Sequence, residues 1–225
     1  AYSFIAPNFI GFCIFTLVPM IFAIGLSFCN WDGVHPVEFT GISNFVALLS
    51  DKTFKAAFVN TLVYAIGTVP LTLVCAIALA LALNKAKGAV AFRTIFFFPY
   101  VASMVAICVC WNFMLMKDGP VNQMIMALGI NFNKSWTADS TMAMWAIILV
   151  SVWRSMGYYM VIYLAGLQGC NPDLNEAAEL DGANRWQQCW HVTLSGIKPI
   201  IAINLIMQVG SCLLYTSPSP RDKRQ

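Results

Sequence analysis

Acidic side chains, which can act as catalysts, metal ligands or partners for basic residues, are concentrated in one short stretch of this chain. Four of the ten acidic residues lie within nine positions, namely Asp173, Glu176, Glu179 and Asp181. The sequence contains no H-E-x-x-H, G-x-S-x-G or G-x-x-x-x-G-K-S/T pattern that would give such carboxylates a catalytic or nucleotide-binding setting. We therefore predict no catalytic residue in this chain, and any nucleotide site must belong to another chain.

The cysteines give no sign of metal or redox chemistry. The eight cysteines form no C-x-x-C pair and no Cys/His metal spacing. Most of them occupy apolar runs, where Cys behaves as a small hydrophobic residue. We predict no metal site, no structural disulfide and no bound cofactor.

Arg154 stands alone as a charge inside a long apolar run, and a charge in such a position is a functional candidate. If the span starts near Thr141, Arg154 lies near mid-depth and could face a transport path. If the span is the last ~20 residues before Gln168, Arg154 lies near the outer surface and its side chain extends to the membrane surface. We favour this second interpretation, or a structural pairing of the charge.

The elements that must position these residues are membrane spans. The chain is 59% apolar and only 10% charged, whereas soluble domains are about 25% charged. Its apolar runs, each long enough for the roughly 20 residues that cross a bilayer, cover 1–31, 56–84, 94–116 and 140–172, and a fifth starts at Pro199. These runs predict an all-α, polytopic membrane helical bundle with five spans begun.

Basic residues set the expected orientation. The segment 84–93 has three basic residues and no acidic one, which places it in the cytoplasm together with the N-terminus. Segments 32–55 and 117–139 then face outward, and 171–198 returns to the cytoplasm. The net charge of +3 arises largely from the last five residues, so we predict no nucleic-acid partner.

The acidic stretch has the signals of two short helices. Asn171 can cap a helix with Pro172 in its first turn, and the acids near that N-terminus are favourable there. Gly182 can end this helix in a left-handed conformation. A second helix, at about 184–194, has Trp186, Trp190 and Leu194 at helical spacing.

The same stretch carries a recognisable motif. Glu176-Ala177-Ala178, three residues, Gly182, nine residues and then Val192-Thr193-Leu194-Ser195 resembles the EAA loop of binding-protein-dependent ABC import permeases. The longer run AGLQ…EAAELDGA is similar to the carbohydrate-uptake branch, including maltose-type and glycerol-phosphate-type permeases. The resemblance covers about residues 1–210. One departure is Ser195, where the family usually has proline.

This resemblance implies that residues 1–211 belong to an ABC importer transmembrane domain with six spans in total. It also implies a coupling loop at about 171–195, which is here called the EAA segment. Glu176 would pair with an arginine of a separate ATPase. Ala177 and Ala178 would permit close packing, and Gly182, next to Asp181, would allow the turn.

The implied partners are two ATPase subunits that hold ATP and Mg, a second permease subunit in a heterodimer, and an extracytoplasmic solute-binding protein. The solute would be a sugar or a related polar molecule, and the location a bacterial inner membrane. The alternatives are a solvated loop of no function, an intramembrane enzyme, and a self-sufficient secondary transporter. The last two would need acids, histidines or coupling charges in the spans, where only Arg154 is present.

The end of the chain has a different character. Residues 212–225 contain Pro218 and Pro220 and a charged end with no helical pattern. The run CLLYTSPSPRD resembles a reading-frame translation of a transposase-based sequencing adapter. We therefore expect 212–225 to be non-native, and a natural polar tail is the alternative.

Overall fold

In this computed structural model the chain is helical apart from one short pair of strands, within the residues that the structure describes: 2–84, 86, 88–129, 134–139, 142–171 and 173–216. The elements in chain order are α1 (Tyr2–Phe12), a π-helical turn (Cys13–Leu17), α2 (Val18–Ser27), β1 (Cys29–Asn30), β2 (Glu38–Phe39), α3 (Ser43–Ser50), α4 (Lys52–Asn84), α5 (Ala89–Val101), α6 (Met104–Met114), α7 (Pro120–Ala127), α8 (Ala143–Gln168), α9 (Asp173–Leu180), α10 (Arg185–Gln187), a π-helical segment (Gln188–Thr193), α11 (Leu194–Gly196) and α12 (Lys198–Thr216). The all-α prediction is confirmed.

Residues 2–59 belong to a first compact unit. Its helical path over Ile5–Ser27 is long enough to cross a membrane and has a mean hydropathy of 2.5. The strands β1 and β2 pair in antiparallel fashion. Between them, the backbone N–H and ring of His35 and the N–H of Val34 hydrogen-bond to the Asp32 carboxylate and lower its pKa to about 2.

Residues 60–217 form the second unit, which holds both candidate sites. Most of α4 lies in this unit, and α4 as a whole has 33 residues. At about 1.5 Å per residue, such a helix exceeds the roughly 30 Å of a bilayer core. Pro70 does not break it, because membrane helices tolerate proline where neighbouring groups satisfy the freed backbone.

The third apolar run, expected over 94–116 as one span, is not a single straight helix. It consists of α5 and α6, which meet at an angle of 96°. Ala102 between them has an extended backbone, with φ −64° and ψ 152°, three residues after Pro99. Proline lacks the N–H that the helix ladder needs and crowds the carbonyl four residues earlier.

The fifth run also has a bend. The helical path Arg185–Gly196 meets α12 at 65°. Among the described residues, three single helices are long and apolar enough to cross a membrane, and the two bent pairs would raise this number to five. The structure continues α12 through Cys212 to Thr216, while 217–225 of the predicted non-native tail lie outside the described residues.

The core of this unit lies between α4, α8 and the start of α12. Its fully buried members include Ala76, Ala80, Met160, Tyr163 and Ile197. Small residues allow the helices to approach closely, as is usual in membrane bundles. At Gly157 of α8, a Cβ would overlap the backbone carbonyl oxygen of Phe96 in α5.

The short helix α7 lies between the apolar runs. Its Asn122 is fully buried, donates to the carbonyls of Met116, Lys117 and Lys134, and accepts a 2.8 Å bond from the Trp136 indole. This network satisfies the amide entirely within the protein, so the segment is held together by packing and hydrogen bonds.

Candidate functional site

The first helix of the EAA segment begins as its sequence predicts. The Asn171 side chain accepts a hydrogen bond from the backbone N–H of Asp173, at 3.1 Å, while Pro172 lies outside the described residues. Asp173 and Glu176 occupy the first turn of α9, where negative charge is favourable beside the unpaired N–H groups.

The helix ends at a turn that depends on Gly182. This residue has a φ of +80°, a conformation that residues with a Cβ avoid. Ala183 donates to the Ala178 carbonyl at 2.9 Å, and Gly182 donates to the Glu179 carbonyl at 3.0 Å. These two bonds form a Schellman motif, which satisfies carbonyls at the helix end.

The second helix starts immediately after this turn. Asn184 and Gln187 form a capping box in which each side chain accepts from the other's backbone N–H, both at 2.9 Å. The helical path runs to Gly196, two residues beyond the expected end, and its middle is the π-helical segment 188–193. Trp186 and Trp190 stack with ring centroids 6.3 Å apart.

The two helices of the segment pack on each other and leave one face open. Ala178 is half-buried, and it lines a small cavity with Val192 and His191 between the helices. Glu176, Ala177, Asp181 and Gly182 are exposed, and Leu180 is 90% exposed. Among the described residues, the Glu176 carboxylate has no hydrogen bond or ion pair. The open face therefore combines a free carboxylate, small residues and an exposed apolar side chain.

A second candidate site is a cavity of about 590 Å³ inside the helical bundle. It is lined mainly by hydroxyl, amide and aromatic side chains of α4, α5, α8 and α12, together with one cation. These include Tyr64, Thr68, Thr72, Tyr100, Ser151, Arg154, Ser155, Tyr159 and Gln208. Tyr64 donates to the Ser151 hydroxyl at 3.0 Å.

Arg154 lies near the middle of α8 and lines this cavity. Its Nη2 donates to the Tyr100 carbonyl at 3.3 Å, and its guanidinium carbon lies 5.1 Å from the centre of the Tyr100 ring. Arg154 thus contacts α5 through neutral groups, and its side chain also reaches the cavity.

Sequence reasoning singled out Arg154 but missed its neutral neighbours. Thr61, Thr68 and Thr72 are buried on one stripe of α4, and Gln208 is buried on α12. Threonines seven and four residues apart share a helix face. That spacing was the available signal for a polar seam along an apolar span.

Long apolar helices around an apolar core, with a polar-lined cavity beside it, define a polytopic membrane protein. Comparison with known proteins makes the class specific. Residues 40–217 match the family described as "Binding-protein-dependent transport system inner membrane component". The chain belongs to this family of ABC importer permeases.

Individual relatives of the chain are also ABC transporter permeases. The probable ABC transporter permease protein YesP of Bacillus subtilis is 36% identical over 97% of this chain and 71% of its own length. The lactose transport system permease protein LacF of Rhizobium radiobacter is 33% identical over 94% of this chain and 72% of its own. Membership makes the chain a non-catalytic inner-membrane subunit, since ATP is hydrolysed on a different subunit in this class.

A solved structure has the same fold. The bacterial alginate ABC transporter, crystallised in complex with an alginate pentasaccharide-bound periplasmic protein, superposes with a TM-score of 0.77 at 27% identity. The match covers 97% of this chain and 76% of that chain.

Proposed function

We propose that this chain is a permease subunit of an ATP-driven saccharide importer and that its EAA segment docks on a separate ATPase. The relatives that transport lactose and alginate support the solute class. The observation that carries the docking proposal is the open face of the EAA segment, where Glu176 is exposed and unpaired beside Ala177. An arginine in a cleft of the ATPase would pair with this carboxylate, and the alanines would let the two backbones approach.

The way in which the segment joins the bundle supports a coupling role. The second helix of the segment leads through Ile197, which is fully buried in the core cluster with Ala76 and Met160. A force on the segment therefore acts on packed side chains of α4 and α8, because a close-packed core transmits strain. The same path continues into α12, which lines the cavity with Gln208.

The remaining partners are proposed on the family's organisation. A second permease subunit would complete the translocation path as a heterodimer, two ATPase subunits would bind ATP and Mg, and a solute-binding protein would deliver the saccharide from outside. The periplasmic protein bound to the alginate transporter supports the last of these. The test is co-purification of the complete complex, followed by saccharide-stimulated ATP hydrolysis in lipid vesicles. A permease that retains no ATPase would contradict the proposal.

The orientation follows from the basic segment 84–93 and is tested by accessibility. In a background without native cysteines, cysteine at Ala86 should be protected from an impermeant thiol reagent in intact cells. Cysteine at Met124, which is 70% exposed on α7, should be labelled. After permeabilisation both should react. Labelling of position 86 but not 124 in intact cells would invert the orientation.

The turn at Gly182 gives a graded test of the EAA segment. A Cβ at this position meets nothing within 4 Å in this chain, so a substitution there strains the backbone without a clash inside the permease. The left-handed conformation costs an L-residue roughly 1–2 kcal/mol, and Asn tolerates it best. Gly182→Val should reduce ATPase co-purification several-fold, while Gly182→Asn should stay close to wild type. Equal retention of the ATPase by both variants would show that the turn is not needed for docking.

A further inference from the structure

Arg154 has no negative charge to pair with among the spans of its own chain. The helices α4, α5, α6, α8 and α12 contain no aspartate or glutamate. Within the part of the chain that the structure describes, the side chains that line the cavity around Arg154 likewise include no carboxylate. A cation inside a helical bundle is costly unless a partner offsets its charge, and such residues commonly mark solute pathways.

Arg154 uses only part of its hydrogen-bonding capacity in the contacts that it makes. A guanidinium has five N–H donors in a planar fork. One nitrogen, Nη2, donates to the Tyr100 carbonyl in a bond of 3.3 Å, and the Tyr100 ring lies against the cation. The Nε atom is buried and has no hydrogen-bond partner. These neutral contacts position the guanidinium and leave its charge uncompensated.

The surroundings of Arg154 fit a polar, ring-shaped solute. The cavity volume of about 590 Å³ falls within the roughly 300–1,000 Å³ typical of small-molecule sites. Thr68, Thr72 and Gln208 each present a polar atom, and the hydroxyls of both threonines and the Gln208 amide nitrogen are buried without a partner. Tyr64 and Tyr159 add aromatic faces and hydroxyls. The partly exposed Tyr64, Ser155 and Tyr159 offer hydrogen bonds to sugar hydroxyls, and Arg154 offers its fork to an anion.

We propose that the solute carries a carboxylate, as in an oligosaccharide that contains uronic acid, and that Arg154 binds this carboxylate in the cavity. This inference rests on the proposed importer function and names the class of its solute. A uronate carboxylate is ionised near neutral pH, and its two oxygens match the guanidinium fork in a bidentate pair. A neutral sugar of the same shape would leave the charge of Arg154 unpaired.

The test uses the assembled importer in lipid nanodiscs without its solute-binding protein, so that selection by that protein does not contribute. The probes are disaccharides of galacturonate, glucuronate and mannuronate, each compared with its uncharged methyl ester by equilibrium binding. The wild type should bind at least one acid ten or more times more tightly than its ester. Arg154→Gln should bring the two affinities within about twofold while leaving the ester unchanged. Arg154→Lys should be intermediate, and the exposed Lys52→Gln should match the wild type.

Each other outcome counts against the proposal. Equal wild-type affinities for acids and esters would overturn it, and so would equal weakening of both by Arg154→Gln, which would indicate a structural role. If Arg154→Lys assembles and Arg154→Gln does not, the anion belongs to another subunit. If neither variant assembles, the ratio of the wild-type affinities for acid and ester decides whether the proposal stands. An importer that carries neutral saccharides but no uronates would refute this inference and leave the proposed function standing.

Discussion

Reversing the charge at Glu176 is expected to uncouple the importer. In Glu176→Lys, solute-stimulated ATP hydrolysis and uptake should each fall at least tenfold, or the ATPase should fail to co-purify. Membrane insertion should be unchanged, because Glu176 lies in α9, outside the long apolar helices. An exposed ion pair contributes only about 0–1 kcal/mol, whereas breaking a buried pair costs about 3–5 kcal/mol. A tenfold loss corresponds to about 1.4 kcal/mol, which is more than loss of an exposed pair alone would produce.

The matched control lies on the same helix. Glu179 is also exposed in α9, so Glu179→Lys makes the same charge change three residues away, on a position that the docking motif does not specify. We expect Glu179→Lys to retain most of the coupling. Wild-type coupling in Glu176→Lys, or equal losses in the two variants, would contradict specific docking through Glu176. Hydrolysis and uptake should be measured in the same vesicles, so that loss of assembly is distinguished from loss of coupling.

The second large effect is expected at the contact between α5 and α8. A Cβ at Gly157 would overlap the carbonyl oxygen of Phe96. The clash is with backbone, which cannot rotate away as a side chain can, so the helices must separate. Overpacking typically costs about 1–3 kcal/mol and occasionally more. Gly157→Ala should therefore lower the thermal unfolding midpoint of the purified importer, and Gly157→Val should prevent its accumulation.

Gly210 provides the comparison for this substitution. It lies in α12, and a Cβ there meets nothing within 4 Å. Because alanine is favoured over glycine in helices, Gly210→Ala should be neutral or slightly stabilising. Equal melting temperatures for Gly157→Ala and Gly210→Ala would show that α5 and α8 do not pack as closely as the structure indicates.

The sequence predicts the EAA segment well because the signals that build it are local. The cap at Asn171, the left-handed Gly182 and the second helix all depend on residues within a few positions of one another. The bend between α5 and α6 was not predictable from Pro99 alone, since Pro70 lies inside the continuous α4. Membrane helices tolerate proline where neighbouring groups satisfy the freed backbone, so a proline in the sequence does not by itself distinguish a bend from a continuous helix. At this bend Arg154 donates to the Tyr100 carbonyl, and the Tyr100 ring stacks on Tyr158 with centroids 4.4 Å apart.

The cavity could not be predicted either, because it also depends on contacts between residues that are far apart in the sequence. The α4 sequence is apolar on nearly every side, so its hydrophobic periodicity does not reveal which face turns inward. The threonine spacing marks a polar stripe but does not say which helices pack against it. Thr68 and Thr72 line the cavity only because α8 and α12 pack against that face. The position of Arg154 likewise depended on where α8 begins, and the structure begins it at Ala143.

If the EAA segment docks on the ATPase as proposed, the 65° bend at Ile197 would make this part of the chain a bent lever, with the path 185–196 as one arm and α12 as the other. The twelve-residue arm is half π-helical, so at no more than about 1.5 Å per residue it is at most about 18 Å long, and Gln208 lies about 16 Å along the other arm. A rigid rotation of about 10° at this pivot would displace each end by about 3 Å, close to the length of one hydrogen bond. A stroke of that size at the ATPase would be enough to make or break contacts of Gln208 in the cavity without unwinding either helix.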